Sequence, residues 1–167
     1  RDAWMFLGLG AVSLAAAMAY TIGRYAYGYY ALGEAMVFAF FGLLGVCGGF
    51  YLQTHLWQPE ILLPACGSGF LSAAVLNVNN MRDAASDRLA GKRTWANILG
   101  RHGSKVFQAA LVGLGCLCYA VFVAWSWQSV LWYLALPLAV RHLARVWNAG
   151  SAADIGGELG ACVRLHF

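Results

Sequence analysis

The chain has 167 residues, a formal net charge of +4 and a mean hydropathy of +0.63, and 11% of its residues are charged. Soluble domains carry about 25% charged residues, so this composition excludes an ordinary soluble domain and favours an integral membrane protein. We therefore predict membrane lipid as the surroundings of the chain and no nucleic-acid partner.

The apolar residues form five runs long enough to cross a bilayer, which takes about 20 residues of helix. In chain order, the predicted membrane helices cover about residues 3–22, 34–54, 61–80, 106–125 and 130–147, and a sixth begins near Glu158. The predicted fold class is all-α: a polytopic transmembrane helix bundle with about five complete helices. We take residues 1–167 as a single, partial membrane domain.

Small residues are frequent in the second of these runs. Glycine lets two membrane helices approach closely, so we interpret four glycines there as packing residues: Gly42, Gly45, Gly48 and Gly49.

Lysine and arginine are distributed unevenly between the two ends of the predicted helices. Nine lie in or beside the turns after the first, third and fifth helices: Arg24, Arg82, Arg88, Lys92, Arg93, Arg101, Lys105, Arg141 and Arg145. The other side has Arg1 alone. Cytoplasmic loops are enriched in these residues, so this asymmetry predicts a cytoplasmic cap loop at about residues 82–105.

The most polar stretch of the chain follows the third predicted helix. Asp83 and Asp87 are four residues apart, so they share one face if the helix continues that far. Asn79 and Asn80 precede them by one turn and add oxygen atoms. Mg²⁺ is typically held by one or two carboxylates together with substrate phosphates and water. The pattern therefore indicates a magnesium site formed by Asp83, Asp87, Asn79 and Asn80.

Basic residues surround this acidic pair and would neutralise phosphate charge: Arg82, Arg88, Lys92 and Arg93. The alternative interpretation is a charged cytoplasmic loop in which the aspartates and arginines pair with each other. The position at the end of a membrane helix favours a functional site, because ionisable groups there are costly to bury.

A second polar pair lies at the end of the first predicted helix. Tyr20 and Arg24 are also four residues apart, so the guanidinium would reach an anionic group while the phenol donates a hydrogen bond. The tyrosines that follow, at positions 25, 27, 29 and 30, are explained equally well as an interfacial aromatic belt.

Residues 77–100, NVNNMRDAASDRLAGKRTWANILG, resemble the second aspartate-rich motif of the UbiA superfamily of intramembrane aromatic prenyltransferases. That motif reads approximately NNxRDxxxDxxxGKxT, followed by a leucine-glycine pair. The matching residues are Asn79, Asn80, Arg82, Asp83, Asp87, Gly91, Lys92 and Thr94, then Leu99 and Gly100. The segments YTIGRYAYGYYALGE and FFGLLGVCGGFYLQT are also similar to the branch whose acceptor is 1,4-dihydroxy-2-naphthoate.

The resemblance implies a bundle of about nine transmembrane helices in which two aspartate-rich motifs bind Mg²⁺ and the pyrophosphate of a polyprenyl donor. Asp83 and Asp87 would be the catalytic, metal-binding carboxylates, with Asn79 and Asn80 as adjacent ligands. The residues implied to hold the pyrophosphate are Tyr20, Arg24, Lys92 and Arg82.

The chain departs from the family pattern in two places. The first aspartate motif, approximately NDxxDxxxxxD, does not occur in these 167 residues. We therefore expect the chain to be a piece of a longer protein and to be inactive alone, since half of the metal site is missing. The family also often has proline where this chain has Ala26, which affects the expected local turn.

The implied activity is transfer of a polyprenyl group from polyprenyl pyrophosphate to 1,4-dihydroxy-2-naphthoate with loss of carboxylate, in menaquinone biosynthesis. The expected location is the bacterial inner membrane, with the active site facing the cytoplasm. Two alternatives remain. One is a family member with another aromatic acceptor, such as 4-hydroxybenzoate. The other is a non-enzymatic transporter segment, which would place polar residues near the midplane of several helices.

Overall fold

The structure is a computed structural model that describes residues 2–22, 26–124 and 133–166. Its α-helices are α1 (Asp2–Thr21), α2 (Gly33–Val37), α3 (Gly48–Thr54), α4 (Leu62–Leu89), α5 (Trp95–Ala124), α6 (Leu136–Asn148), α7 (Ala152–Gly157) and α8 (Leu159–His166). A π-helical segment, Phe38–Cys47, joins α2 to α3, and short 3₁₀ turns cover Tyr27–Tyr29 and Pro59–Ile61.

Three helices in the described residues are long and apolar enough to cross a membrane. They are Gly33–Thr54, in which α2, the π-helical segment and α3 are continuous, Pro59–Leu89 and Trp95–Ala124. A shorter apolar helical stretch covers Phe6–Tyr20. The predicted all-α membrane bundle is confirmed, and α1 agrees with the predicted helix at residues 3–22 to within a residue at each end.

The fifth predicted helix is only partly described. α6 has 13 residues, or about 20 Å at 1.5 Å per residue, which is short of the bilayer core. Pro137 lies in its first turn, where proline favours a helix start. Residues 125–132 lie outside the described residues. The sixth predicted helix corresponds to α8, which begins at Leu159.

The segment predicted as a loop at about residues 82–105 is mostly helical, so that prediction was wrong in extent. α4 continues to Leu89 and α5 begins at Trp95. Gly91 has φ +71° and ends α4 in the manner of a helix-terminating glycine. Gly100 has φ +66° and kinks the first turns of α5. The connection between the two helices is therefore limited to residues 90–94.

α4 is the central helix of the bundle, in contact with α2, the π-helical segment, α5, α7 and α8. Its approach to the π-helical segment is very close at Gly42. A Cβ atom on Gly42 would lie 2.6 Å from both the carbonyl oxygen of Ala65 and the Cα of Gly69. The packing role predicted for Gly42 is thus confirmed, whereas a Cβ on Gly49 would meet nothing within 4 Å.

The first helix lies against the segment that follows it. The Tyr27 hydroxyl donates a 2.7 Å hydrogen bond to the Ala16 carbonyl, and the rings of Phe6 and Tyr51 stack with centroids 6.1 Å apart. Large apolar side chains of α1, such as Trp4 and Leu14, are exposed. This contact brings the end of α1 beside the start of α2, close to the polar end of α4.

Candidate active site

The two predicted catalytic carboxylates share one face at the end of α4. Because α4 is helical through Leu89, Asp83 and Asp87 are one turn apart on the same stripe. Asn79 and Asn80 occupy the preceding turn. The helix therefore continues past Asp87, as the shared face of the two aspartates requires.

Arg82 joins two other predicted residues, Asp83 and Asn79, in one cluster. Its Nε lies 2.7 Å from Asp83 Oδ1, and its NH2 lies 2.7 Å from Asp83 Oδ2. The same NH2 donates a 2.7 Å hydrogen bond to Asn79 Oδ1. This two-pronged pair fixes the Asp83 carboxylate in a geometry that guanidinium and carboxylate groups favour. Arg82 therefore neutralises the negative charge of Asp83, which a bound cation would otherwise neutralise.

Asp87 is paired in a similar way with the loop that follows. Lys92 Nζ lies 3.3 and 3.4 Å from the two carboxylate oxygens of Asp87, and the backbone N–H of Lys92 donates to the Asp87 carbonyl at 2.8 Å. The left-handed Gly91 turns the chain back so that both contacts form. Lys92 is thereby held beside Asp87, at the face that the two aspartates share.

The same loop is tied to the tyrosine-rich segment after α1. The backbone N–H of Arg93 donates a 3.0 Å hydrogen bond to the Tyr29 carbonyl. Two stretches that the sequence singled out separately, residues 19–34 and 77–100, therefore meet at one end of the bundle.

Glu34, which the sequence analysis did not select, lies against the site. It is 4% exposed at the start of α2, and its Oε1 accepts a 2.9 Å hydrogen bond from Asn80 Nδ2. Asn80 Oδ1 is buried and has no hydrogen-bond partner within the described residues. Glu34 thus sets the orientation of the Asn80 amide and leaves its oxygen available as an acceptor.

Tyr20 lies beside this pair, at the edge of an apolar cavity. A Cβ on Gly33 would be 3.7 Å from the Tyr20 hydroxyl, which places that hydroxyl close to the first turn of α2. The cavity has a volume of about 440 Å³ and is lined by Tyr20, Met36 and Phe40 among others. Arg24, the predicted partner of Tyr20, lies outside the described residues.

Ala26 resolves one departure from the family pattern. Its φ of −55° and ψ of 114° are values that proline adopts, and the side chain is buried. The local turn thus keeps a proline-like conformation with alanine at this position.

The donor set is one of oxygens but is incomplete as a metal site. No three His, Cys, Asp or Glu side chains in the described part of the chain are close enough to hold a metal ion by themselves. Both aspartates are paired with a basic side chain, an arrangement that also agrees with the alternative of a charged segment whose acids and bases neutralise each other. The orphaned oxygen of Asn80 is the feature that this alternative leaves unexplained.

A second buried polar chain, away from the aspartates, links α4, α5 and α6 to the junction between α7 and α8. Asn77 Nδ2 donates to Gln108 Oε1 at 2.8 Å, and Gln108 Nε2 lies 3.0 Å from His142 Nε2. His142 Nδ1 lies 3.4 Å from Glu158 Oε2. Neither Gln108 nor His142 was among the residues predicted to be functional. Gln108 is a single polar residue in an apolar run, and that isolation was the available signal, whereas His142 lies between Arg141 and Arg145 and offered no such signal.

Long apolar helices with an acidic pair and several cations gathered at one end define an integral membrane protein with a polar site near the membrane surface. A profile of the UbiA prenyltransferase family matches residues 3–154. The chain therefore belongs to the UbiA prenyltransferase family.

Relatives with assigned names are similar over most of this chain. The 1,4-dihydroxy-2-naphthoate octaprenyltransferase of Haemophilus influenzae is 47% identical over 157 residues, which is 92% of this chain and 51% of that protein. The protein of the same name from Escherichia coli is 44% identical over 82% of this chain and 46% of its own length. A UbiA prenyltransferase domain-containing protein 1 homolog from Drosophila melanogaster is 34% identical over 75% of this chain and 33% of that protein.

The chain spans about half the length of the two bacterial relatives. No solved structure matches the chain significantly.

Proposed function

We propose that this chain supplies one aspartate-bearing half of the active site of a polyprenyltransferase. The reaction transfers a polyprenyl group from polyprenyl pyrophosphate to 1,4-dihydroxy-2-naphthoate, with loss of the carboxylate as carbon dioxide, to give the quinol form of demethylmenaquinone for menaquinone biosynthesis. The observation that supports it is the placement of Asp83 and Asp87 on one face, with Arg82 and Lys92 beside them, in a chain 47% identical to a relative named for this chemistry.

Mg²⁺ is the proposed cofactor, and the residues present fit it. The nearby donors are carboxylate and amide oxygens, which hard divalent cations prefer, and Asn80 Oδ1 is buried with no partner among the described residues. Asp83, Asp87, Asn79 and Asn80 would hold the ion. When bound, the ion supplies Lewis-acid stabilisation of the charge that develops on the leaving pyrophosphate.

Basic side chains of this chain have a second role in the proposal. Arg82 and Lys92 are paired with the carboxylates in the structure. If the carboxylates instead held the metal ion, both cations would be free to donate hydrogen bonds to phosphate oxygens. Tyr20 and Arg24 would hold the same pyrophosphate from the end of the first helix. These donors stabilise negative charge where it accumulates as the bond breaks.

The reaction proceeds by ionisation and ring attack. The allylic C–O bond breaks and its electron pair leaves with pyrophosphate. The carboxylate-bearing carbon of the electron-rich naphthoate ring then forms a C–C bond to the allylic carbon. Carbon dioxide departs, and the electron pair of the broken C–C bond restores the aromatic ring. The apolar cavity beside Tyr20 would shelter the isoprenoid chain from water.

The proposed location is the inner membrane of a bacterium, with the aspartates facing the cytoplasm. The basic residues near the end of α4 and the start of α5 support this orientation, because lysine and arginine are enriched in cytoplasmic segments. Membrane lipid is the surrounding medium, and the polyprenyl donor would enter from it.

The first test is an assay of membranes that contain the full-length protein, with 1,4-dihydroxy-2-naphthoate and a long-chain polyprenyl pyrophosphate. We expect demethylmenaquinone to form with Mg²⁺ and not after chelation with EDTA. Product with 4-hydroxybenzoate alone would change the acceptor and leave the metal site in place. Absence of product with either acceptor would contradict the proposal and favour a non-enzymatic membrane segment.

Glu34 provides a second test of the same site. Replacing Glu34 with leucine removes the acceptor that orients Asn80, so we expect a loss of turnover of about 10–100-fold, as for other partners of metal ligands. Glu34→Gln keeps an oxygen acceptor and should change turnover only about threefold. The measurement is turnover as a function of Mg²⁺ concentration, and we expect a higher Mg²⁺ requirement for Glu34→Leu. Equal Mg²⁺ requirements in wild type and Glu34→Leu would show that Glu34 does not act through the metal site.

A further inference from the structure

A second cavity lies at the same end of the bundle, on another side of α4. Its volume is about 360 Å³, and its walls come from α4, the first turns of α5 and the residues that begin α7. Four basic side chains line it: Arg82, Arg88, Arg101 and Lys105. Its lining contains no aspartate or glutamate in the described part of the chain.

The cavity is separate from the aspartate face. Met81, Ala85 and Arg88 line it at helical spacings of three and four residues. Since each residue advances an α-helix by about 100°, this face lies roughly 150° around α4 from Asp83 and Asp87. A ligand in the cavity would therefore not lie on the face of the two carboxylates.

The positive charge of the cavity is only partly neutralised. The charge of Arg82 is neutralised by its ion pair with Asp83. Within the described ranges, Arg88, Arg101 and Lys105 have no carboxylate at ion-pair distance.

Asp154 is the acid beside the cavity wall, and its single negative charge, which also attracts Arg101, does not balance the three cations. Its Oδ2 accepts hydrogen bonds from the backbone N–H groups of Gly150 and Ser151, at 3.0 and 2.8 Å. Ser151 is also the N-cap of α7. The side chains that line the cavity are therefore left with an excess of positive charge.

Two of the cations are held in place by backbone carbonyl groups at the end of α6. Arg101 NH2 donates to the Ala149 carbonyl at 2.8 Å. Lys105 Nζ donates to the Trp147 carbonyl at 2.7 Å and to the Ala149 carbonyl at 3.0 Å. Arginine has five N–H donors and lysine three, so both retain donors for a ligand. The cations are thus ordered before any anion binds.

From this geometry we propose that the cavity binds a phosphate group, separately from the pyrophosphate of the proposed reaction. Clustered arginine and lysine recognise phosphate oxygens, and basic pockets between membrane helices on the cytoplasmic side bind anionic lipid head groups. Met81, Ala84 and Ile155 add an apolar wall beside the cations. A phosphodiester of an anionic phospholipid matches both the charged and the apolar surfaces. Free inorganic phosphate would satisfy the cations alone.

The test measures the thermal unfolding midpoint of the full-length protein in lipid-depleted detergent. Phosphatidylglycerol should raise the midpoint by about 3 °C or more relative to phosphatidylcholine, because a ligand that binds only the folded state stabilises it. An equal rise with millimolar inorganic phosphate would identify free phosphate as the source. Absence of a specific rise with both ligands would overturn the proposal.

Matched variants connect the effect to the cavity. Arg88→Gln together with Lys105→Gln should remove at least about half of the midpoint shift. Because the Arg88 side chain is exposed, Arg88→Gln alone should lower the midpoint shift without affecting folding. Arg141→Gln removes an exposed arginine that does not line the cavity and should leave the shift unchanged. An equal loss in the Arg141 variant would attribute the shift to general surface charge and overturn the proposal. Prenyl-transfer activity is not part of the readout, so this result does not depend on the proposed reaction.

Discussion

Replacing either Asp83 or Asp87 with asparagine is expected to reduce prenyl transfer by about a hundredfold or more. Asparagine has nearly the same shape but no negative charge, so it cannot neutralise a divalent cation. The two carboxylates lie one turn apart on α4, and each is already within ion-pair distance of a basic side chain. Removing one carboxylate therefore weakens the metal site and leaves Arg82 or Lys92 without its partner.

The measurement is Mg²⁺-dependent product formation in membranes, normalised to the amount of inserted protein. Asp154→Asn is the matched control, because Asp154 is an exposed aspartate that caps α7 rather than lying on the aspartate face. Its turnover should stay within about twofold of wild type. Near-normal turnover in both the Asp83 and Asp87 variants would reject the metal-site assignment.

Gly42→Ala is expected to destabilise the bundle by about 1–3 kcal/mol. The added methyl group would lie 2.6 Å from the Ala65 carbonyl oxygen and from the Cα of Gly69. Both atoms belong to the backbone of α4, so a side-chain rotation cannot relieve the contact. The π-helical segment must move away from α4 instead, and the packing of both helices is weakened.

Gly49→Ala separates this steric effect from the intrinsic helix preference of alanine. A Cβ on Gly49 meets nothing within 4 Å, and alanine is favoured over glycine in a helix by up to about 1 kcal/mol. This variant should therefore be neutral or slightly more stable. Thermal unfolding in detergent distinguishes the two variants. Equal midpoints would show that the helices do not approach closely at Gly42.

The sequence was most informative where the deciding interactions are local. The four-residue spacing of Asp83 and Asp87 depends only on the helical period, so their shared face was expected if the helix predicted to end near residue 80 continued past them. Apolar run length likewise located the three long helices, since the bilayer sets that length. The end of α4 was misjudged because charged residues resemble a loop, whereas Asp83 and Asp87 pair with Arg82 and Lys92 while the backbone stays helical to Leu89.

Contacts between distant residues were not predictable in the same way. Glu34 and Asn80 are 46 positions apart, and nothing in their local sequence indicates that they meet. The pairing of Gln108 with His142 likewise depends on how α5 and α6 are placed against each other. A single buried polar residue in an apolar run is a signal that a partner exists, but its identity requires the tertiary structure.

The hydrogen bond between Asn77 and Gln108 has a consequence for the way the chain enters the membrane. Each amide would be a costly polar group if its helix crossed the lipid alone, and the bond that Asn77 Nδ2 donates to Gln108 Oε1 at 2.8 Å satisfies part of both. Only residues 90–94 separate α4 from α5, so the partner emerges from the ribosome soon after. We therefore expect the two helices to leave the translocon as a hairpin, with the amides already joined, and His142 to complete the chain of hydrogen bonds at a later stage of synthesis.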